Sequence, residues 1–386
     1  MNNFYSYNPV KVIFGKGMIA RMPGELGGFE RILLLLGQGS ARRNGAYDQA
    51  MTALAGKTVV EFAGIEPNPE YDTCLRAVQT AREHEVDFIL AVGGGSVADA
   101  AKFVALAAHF SGEDPWRLIT REAPPPKDIL PLGCILTLPA SGSEVNNSFI
   151  LSRRATRSKQ GFFLPALYPR FSILDPATTL GLSRAQTALG LIDTFVHVLE
   201  QYATHDTASP LQARQAEAIL ATLVEIAEPL LDRPDDYDLR ATAMWCAAQA
   251  QNGTINRGQP MDWATHAIGH ELTVLYDLPH AQTLALVLGG VHRHCLAGKR
   301  QRLAQFGRRV WGLAGDDAAV AAAAIDATEA FFHRLGVATR FSQLDMEAGK
   351  VAEEVTALVA DKGFQPLGER QDIDLAAVAA ILRAQA

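Results

Sequence analysis

The sequence predicts an α/β chain in two parts, a parallel-sheet domain over residues 1–180 and an all-helical domain over 181–386. Three observations carry this. In the first part, short uninterrupted apolar runs stop at glycine-rich turns, as parallel strands buried on both faces do. Helical stretches lie between these runs, and strand, helix and strand alternating at such spacing marks βαβ units. After Phe171-Ser172-Ile173-Leu174-Asp175-Pro176 the strand-like runs end, and alanine- and leucine-rich helical text continues to the C-terminus.

The elements follow in order. Residues 8–14 read as a strand entering the turn Gly15-Lys16-Gly17. Arg31-Ile32-Leu33-Leu34-Leu35-Leu36 is a buried parallel strand stopped by Gly37-Gln38-Gly39-Ser40. Thr58-Val59-Val60-Glu61-Phe62 is a second, ended by Gly64-Ile65-Glu66-Pro67-Asn68-Pro69, and a helix follows over 71–84. The strand Phe88-Ile89-Leu90-Ala91-Val92 runs straight into Gly93-Gly94-Gly95-Ser96, which opens a helix over 97–109. A glycine turn from a strand into a helix N-terminus lets the backbone approach a phosphate and points free N–H groups at it. The same glycines could serve the backbone turn alone, and Asp99 and Lys102 could be an exposed ion pair one turn into the helix. Two glycine-ended strands in one sheet favour the first reading, because a dinucleotide needs two such tips. The strand 133–138 leads to Pro139-Ala140-Ser141-Gly142-Ser143-Glu144, where hydroxyls suit phosphate or ribose contacts or, equally, a serine-capped helix start.

Beyond residue 180, Ser183-x-x-Gln186 has the form of a capping box. It opens a helix that is apolar almost all the way round and therefore buried. Asp193 and His197, four residues apart on it, share one face. A carboxylate and an imidazole in that setting are costly unless neutralised, and a divalent cation would do this. The pair could also be satisfied by itself. His266-x3-His270-x9-His280 tilts the balance, because three imidazoles and a carboxylate suit zinc or ferrous iron. His266 and His270 sit one turn apart on a helix, and His280 starts the next after Pro279. His292 and His294 read as surface residues.

Composition narrows the function. With 386 residues, 48% hydrophobic and 20% charged, the chain reads as an ordinary globular protein with two cores. A net charge of -7 argues against nucleic-acid binding. Cys74, Cys134, Cys246 and Cys295 lie far apart without a CxxC, as reduced cytosolic thiols do. No signal peptide is expected, and no apolar run approaches the ~20 residues a membrane span needs. A cytoplasmic location is the expectation.

Taken together, Gly93-Gly94-Gly95-Ser96-x-x-Asp99-x-x-Lys102, Asp193-x3-His197 and Asp262-Trp263-Ala264-Thr265-His266-x3-His270-Glu271-x8-His280 resemble the iron-containing (group III) alcohol dehydrogenase family. The match is most similar to its branch of NADPH-dependent aldehyde reductases and butanol dehydrogenases and spans essentially the whole chain. The resemblance implies a Rossmann-like first domain and a helical second one. It implies Asp193, His197, His266 and His280 as ligands of one divalent metal, zinc or iron, and His270 as an additional active-site histidine; His270 or a bound water would deliver the proton. Gly93, Gly94, Gly95 and Ser96 would hold the NADP(H) pyrophosphate, and Asp99 would belong to the same cofactor site. Gly37, Gly39, Ser40, Asn68, Thr137, Ser141, Ser143 and Lys159 would complete the cofactor site. NAD-preferring members carry an aspartate at the first strand's tip, where this chain has Gly37, followed by Arg42 and Arg43. Gln38 departs from the third glycine of close members.

The implied partners are a small aldehyde or alcohol and a second copy of the chain in a homodimer, with no nucleic acid or membrane. Phe149, Phe162, Phe163 and Leu164 are candidates for an apolar substrate tail, or simply core. No cluster of arginines or lysines stands beside the metal ligands in sequence, which points to uncharged short- to medium-chain aldehydes. The rival readings are a polyol- or glycerol-type dehydrogenase, a metal-dependent hydrolase whose glycine turn holds a phosphate ester, and a nucleotide sensor without chemistry.

Overall fold

The computed structural model describes residues 1–363 and 365–386, which form two compact units. One comprises Tyr7–Leu182 with Pro234–Asn252; the other comprises Met1–Ser6, Ser183–Arg233 and Gly253–Ala386. Residues 234–252 thus belong with the sheet, whereas the change of sequence texture had suggested a single cut near Leu180. The cause is local. The helix Tyr237–Gln251 inserts Met244 and Ala248 into an apolar cluster with Leu136, Val145 and Leu174.

The strands of the first unit are β1 (Lys11–Phe14), β2 (Arg31–Gly37), β3 (Thr58–Ile65), β4 (Phe88–Gly94), β5 (Leu132–Leu138), β6 (Ser148–Arg153), β7 (Ser158–Phe163) and β8 (Phe171–Leu174). Six form one sheet in the order β1-β8-β5-β4-β2-β3, parallel throughout. The chain leaves β2 for β3 on one side and returns across it to β4 on the other. The carboxyl ends of β2 and β4 therefore flank the point where strand order reverses, the place open α/β sheets bind ligands. Alternation along β2 and β4 feeds two cores. Leu33, Leu35, Ile89 and Ala91 pack under the helices Tyr71–Glu83 and Gly95–Ala107. Ile32, Leu34, Leu36, Phe88, Leu90 and Val92 pack on the opposite face.

Two details depart from the sequence reading. Strand β3 does not stop at Phe62 but continues through Gly64, whose φ of +104° carries the bend, to Ile65. The second departure is an unanticipated antiparallel hairpin, β6–β7. It turns Phe149 and Phe162 inward, 5.7 Å apart by ring centroid, with Phe103 behind Phe149 at 6.0 Å. Those two phenylalanines are core and unavailable to a substrate tail, whereas Phe163 faces outward beneath the Arg121 guanidinium.

The second unit is helical. Its longer helices are Arg184–Tyr202, Pro210–Asp232, Ala264–Tyr276, His280–His294, Leu296–Val310, Asp317–Arg334 and Ala348–Asp361. Phe195 anchors the first of these among Phe306, Trp311, Phe331 and Phe332, with ring centroids 5.6–6.3 Å away. His292, expected at the surface, is buried here, while its neighbour His294 is exposed. Positions two apart on a helix face different ways, and only His294 looks outward. Among the described residues, no helix is long and apolar enough to cross a membrane.

Candidate active site

The helix Arg184–Tyr202 starts as the sequence suggests. Ser183 Oγ accepts the Gln186 amide at 3.2 Å, and Gln186 Oε1 accepts the Ser183 amide at 3.1 Å. That start fixes the phase of the helix, so Asp193, His197 and Glu200 fall on one buried face. The helix Ala264–Tyr276 opens abruptly from Trp263, whose φ is +61°. Its first amides find carboxylates: Asp262 Oδ1 accepts Ala264 N at 2.8 Å, and Glu200 Oε1 accepts Thr265 N at 2.7 Å and His266 N at 3.3 Å. Glu200 Oε2 also pairs with His266 Nδ1. This start aims His266 and His270 toward His280, the first residue of the helix His280–His294.

The result is a tight group of donors within the helical unit. Asp193, His266 and His280 each offer a ligand atom, and these atoms lie within 4.8 Å of one another. Asp193 Oδ1 is 3.8 Å from His280 Nε2 and 3.5 Å from His197 Nδ1, which brings the fourth expected ligand to the same carboxylate. The His197 and His266 rings are 4.6 Å apart, and His266 and His280 5.2 Å. His270 lies beside the group, 5.3 Å from His280 and half-buried. Trp263 covers it edge-on, 5.1 Å from His266. Burial, opposed by Asp193, pulls His197 down to about 4. It is therefore neutral at pH 7, the state in which an imidazole can ligate a cation.

In the sheet unit, the expected glycines meet at the ends of β2 and β4. The helix Gly95–Ala107 begins directly from β4, and no side chain caps its N-terminus. A Cβ at Gly95 would come within 2.0 Å of Ser141 Oγ, and one at Gly93 within 2.4 Å of Val97 Cγ2. Bare backbone is what fits there. Gly39 adopts a φ of +104°, open only to glycine-like residues. Gly37, Gln38, Gly39, Arg42 and Gly64 line a hollow of about 350 Å³ at the β2 end. Arg42 stacks 3.7 Å over Tyr47 and pairs with Glu61 at 2.6 Å. Lys159 Nζ donates to Asn68 Oδ1 at 2.8 Å, joining two expected cofactor residues from β7 and the loop after β3.

Asp99 and Ser143 are also adjacent, but they are turned onto each other. Ser143 Oγ donates to Asp99 Oδ1 at 2.6 Å, and Asp99 Oδ2 accepts Ile150 N at 3.2 Å. Lys102 completes this network, donating to Ser143 O, Ser143 Oγ, Asn146 Oδ1 and Ser148 O at 2.6–2.9 Å. Burial, opposed by Asp99, pulls the Lys102 ammonium down to about 8. Asp99 and Lys102 are thus not an exposed ion pair but a buried staple holding the loop after β5. Thr137 is buried at the end of β5, and Ser40 lies just past the Gly39 turn.

Glu200 escaped the sequence reading, although an acid seven residues after Asp193 on an otherwise apolar helix was a signal. Lys102 was seen without its role, because its partners lie more than forty residues away in sequence.

Comparison with known proteins shows the family. The model of the iron-containing alcohol dehydrogenases matches residues 9–176, and that of the family's C-terminal region matches residues 187–386. The chain belongs to the iron-containing alcohol dehydrogenase family. Within it, the chain is 44% identical over 377 residues, 97% of each sequence, to the NADPH-dependent aldehyde reductase YqhD of Escherichia coli K12. It is 38% identical over 392 aligned positions, covering 100% of both chains, to a probable NADH-dependent butanol dehydrogenase of Bacillus subtilis 168. A crystal structure of E. coli YqhD superposes with a TM-score of 0.97, covering 100% of this chain and 99% of that one at 43% identity. The NADH-dependent butanol dehydrogenase A of Thermotoga maritima gives 0.94 at 32% identity, with 100% and 99% covered.

Proposed function

We propose that this iron-containing alcohol dehydrogenase is a metal-dependent, NADP(H)-linked aldehyde reductase that converts uncharged short- to medium-chain aldehydes to alcohols. The observation that carries the reading is the buried donor set. Asp193, His266 and His280 bring a carboxylate and two imidazoles within 4.8 Å, and His197 stands against the same carboxylate. Such a set fits zinc or ferrous iron. A divalent cation held there supplies Lewis acidity toward the aldehyde oxygen, and the nicotinamide supplies hydride.

The chain's own groups do the rest. Asp193 offsets part of the cation's charge inside a buried site, where an uncompensated charge would be costly. Trp263 shields His266 and His197 from water on one side. His270, beside His280, is the group we assign to hand an imidazole nitrogen's proton to the product oxygen, since an imidazole can carry and donate one. At the sheet, Gly93, Gly94, Gly95 and Ser96 offer uncapped N–H groups to a pyrophosphate. We assign Gly37, Gly39, Ser40, Asn68, Thr137, Ser141 and Lys159 to the rest of the cofactor, with Asp99 and Ser143 serving it by holding the loop.

The absence of an acid at Gly37 and the presence of Arg42 on the same hollow favour NADPH over NADH. Lys299, a buried cation of the helical unit, is committed to Ala203 O, Asp262 and Glu369, which supports an uncharged substrate. Membership of a dehydrogenase family leaves the hydrolase reading without support. A homodimer, implied by the resemblance, and a cytoplasmic location, expected from the sequence, remain part of this proposal.

The test is an aldehyde panel with NADPH and NADH at fixed neutral pH. Butanal and longer homologues should be turned over with broad tolerance, each methylene changing binding by about 0.8 kcal/mol at most. NADPH should be preferred. Turnover confined to a phosphorylated or acidic aldehyde, or equal use of NADH, would overturn the substrate or the cofactor assignment respectively.

A further inference from the structure

We propose that Lys299 is a positioning residue for the metal site: it ties the end of the helix carrying Asp193 and His197 to the start of the helix carrying His266. The inference rests on the metal-site reading above and adds a residue to it. Lys299 stands on the helix Leu296–Val310 and is 4% exposed. Its Nζ donates to Ala203 O at 2.5 Å, Asp262 Oδ2 at 2.6 Å and Glu369 Oε2 at 3.2 Å. An ammonium has three protons, and these three acceptors account for all of them. Burial opposes the charge, but Asp262 and Glu369 outweigh it and raise the group above its ordinary value.

Two of the three acceptors lie where the ligand helices end and begin. Ala203 directly follows the helix Arg184–Tyr202, less than two turns beyond His197. Asp262 works with both oxygens: Oδ1 accepts the amide of Ala264, the first residue of Ala264–Tyr276, while Oδ2 is held by Lys299. Between them the chain passes through Trp263 at a φ of +61°, a region costly to a large side chain. Such a turn persists where its surroundings hold it, and Lys299 grips one flank through Asp262. In that conformation the Trp263 ring lies 5.1 Å from His266 and 6.1 Å from His197. The third acceptor, Glu369, takes the amide of His205 at 3.1 Å on its other oxygen, anchoring the chain just beyond Ala203. One ammonium thus holds both ligand helices by their adjoining ends. The ligand atoms of Asp193 and His266 lie within 4.8 Å of one another, so a slip between the two helices would separate them.

Lys299→Met removes the ammonium and keeps an apolar stem of similar length. Arg309→Met is the control. It breaks the ion pair of Arg309 with Glu217, which joins the same helix to Pro210–Asp232, a helix without a proposed ligand. Three readings separate positioning from stability alone. Competition with a chromophoric chelator gives zinc affinity. The visible absorption of cobalt(II)-loaded protein reports ligand geometry. Hydrogen exchange of metal-free protein over residues 262–270 reports how firmly the His266 helix begins.

We expect Lys299→Met to lose roughly 10- to 100-fold in zinc affinity, to shift the cobalt band and to exchange faster at residues 264–266. Arg309→Met should lower the melting temperature and leave all three readings as in the wild type. Zinc affinity within about threefold of the wild type and an unmoved cobalt band in Lys299→Met overturn the proposal, as does an equal change in Arg309→Met. If Lys299→Met does not fold, Lys299→Arg decides by the same readings, since it keeps the charge but not the three-way geometry. A wild type that binds neither zinc nor cobalt would instead sink the metal-site reading. The metal-free exchange does not depend on that reading, and unchanged exchange at 264–266 in the Lys299 variant overturns the tie by itself.

Discussion

In the helical unit the candidate site is a collection of side chains, whereas in the sheet unit it is a place from which side chains are missing. On the proposed reading, Asp193, His197, His266 and His280 act through the atoms they carry, and removing one would remove a ligand. Gly93 and Gly95 matter for the atoms they lack, and adding one methyl fills space that Val97 and Ser141 already border. The two kinds of site should therefore fail in different ways. Loss in the helical unit should abolish chemistry together with metal, while loss in the sheet unit should weaken cofactor binding and leave metal in place.

The largest expected effect is on the helical side. His280→Ala should lower metal content to a small fraction of one ion per chain. It should also reduce aldehyde turnover by on the order of a thousandfold, equivalent to several kcal/mol of lost charge stabilisation. Elemental analysis beside steady-state rates checks both, and full metal occupancy would break the comparison. Next is the sheet side. Gly95→Ala should raise the KM for NADPH by roughly 10- to 100-fold, because the new Cβ displaces Ser141 and fills the approach to the helix N-terminus. Metal content should be unchanged; a parallel loss of metal would show that the two sites are not independent.

The smallest effect concerns the fold beneath the helical site. Burial and the nearby Lys299 pull His292 from its ordinary value near 6.5 down to about 3. Between those values the unfolded chain binds a proton that the folded chain does not. This contribution is fully present above pH 6.5 and is lost as pH falls toward 3. The slope is about 1.4 kcal/mol per pH unit for one group. Urea unfolding of the wild type should therefore lose stability more steeply than His292→Asn between pH 6.5 and 5. Equal slopes would place a charged, paired imidazole at that position.

The same contrast explains what could be read in advance. Glycine tips are local signals, so the parallel strands and the strand-to-helix turns were legible from residues close in sequence, whereas the donor set joins distant residues and was read from residue type and the family resemblance. The capping box at Ser183 was legible as a local signal too. Long-range pairings were not. Lys102 meets its acceptors through the fold of the loop 143–148, and the helix Tyr237–Gln251 joins the sheet unit through Met244 and Ala248. The hairpin β6–β7 was missed because Phe149 and Phe162 carried no clue to which side they face. Glu200 lay between these extremes: its spacing from Asp193 was visible, but its target on another helix was not.

The most direct test of the central claim is turnover before and after metal removal. Wild-type protein stripped with a chelator should fail to oxidise NADPH in the presence of butanal. Restoring zinc or ferrous iron should recover activity in proportion to metal bound, reaching its limit near one ion per chain. Stripped protein that reduces butanal at the full rate would contradict the account.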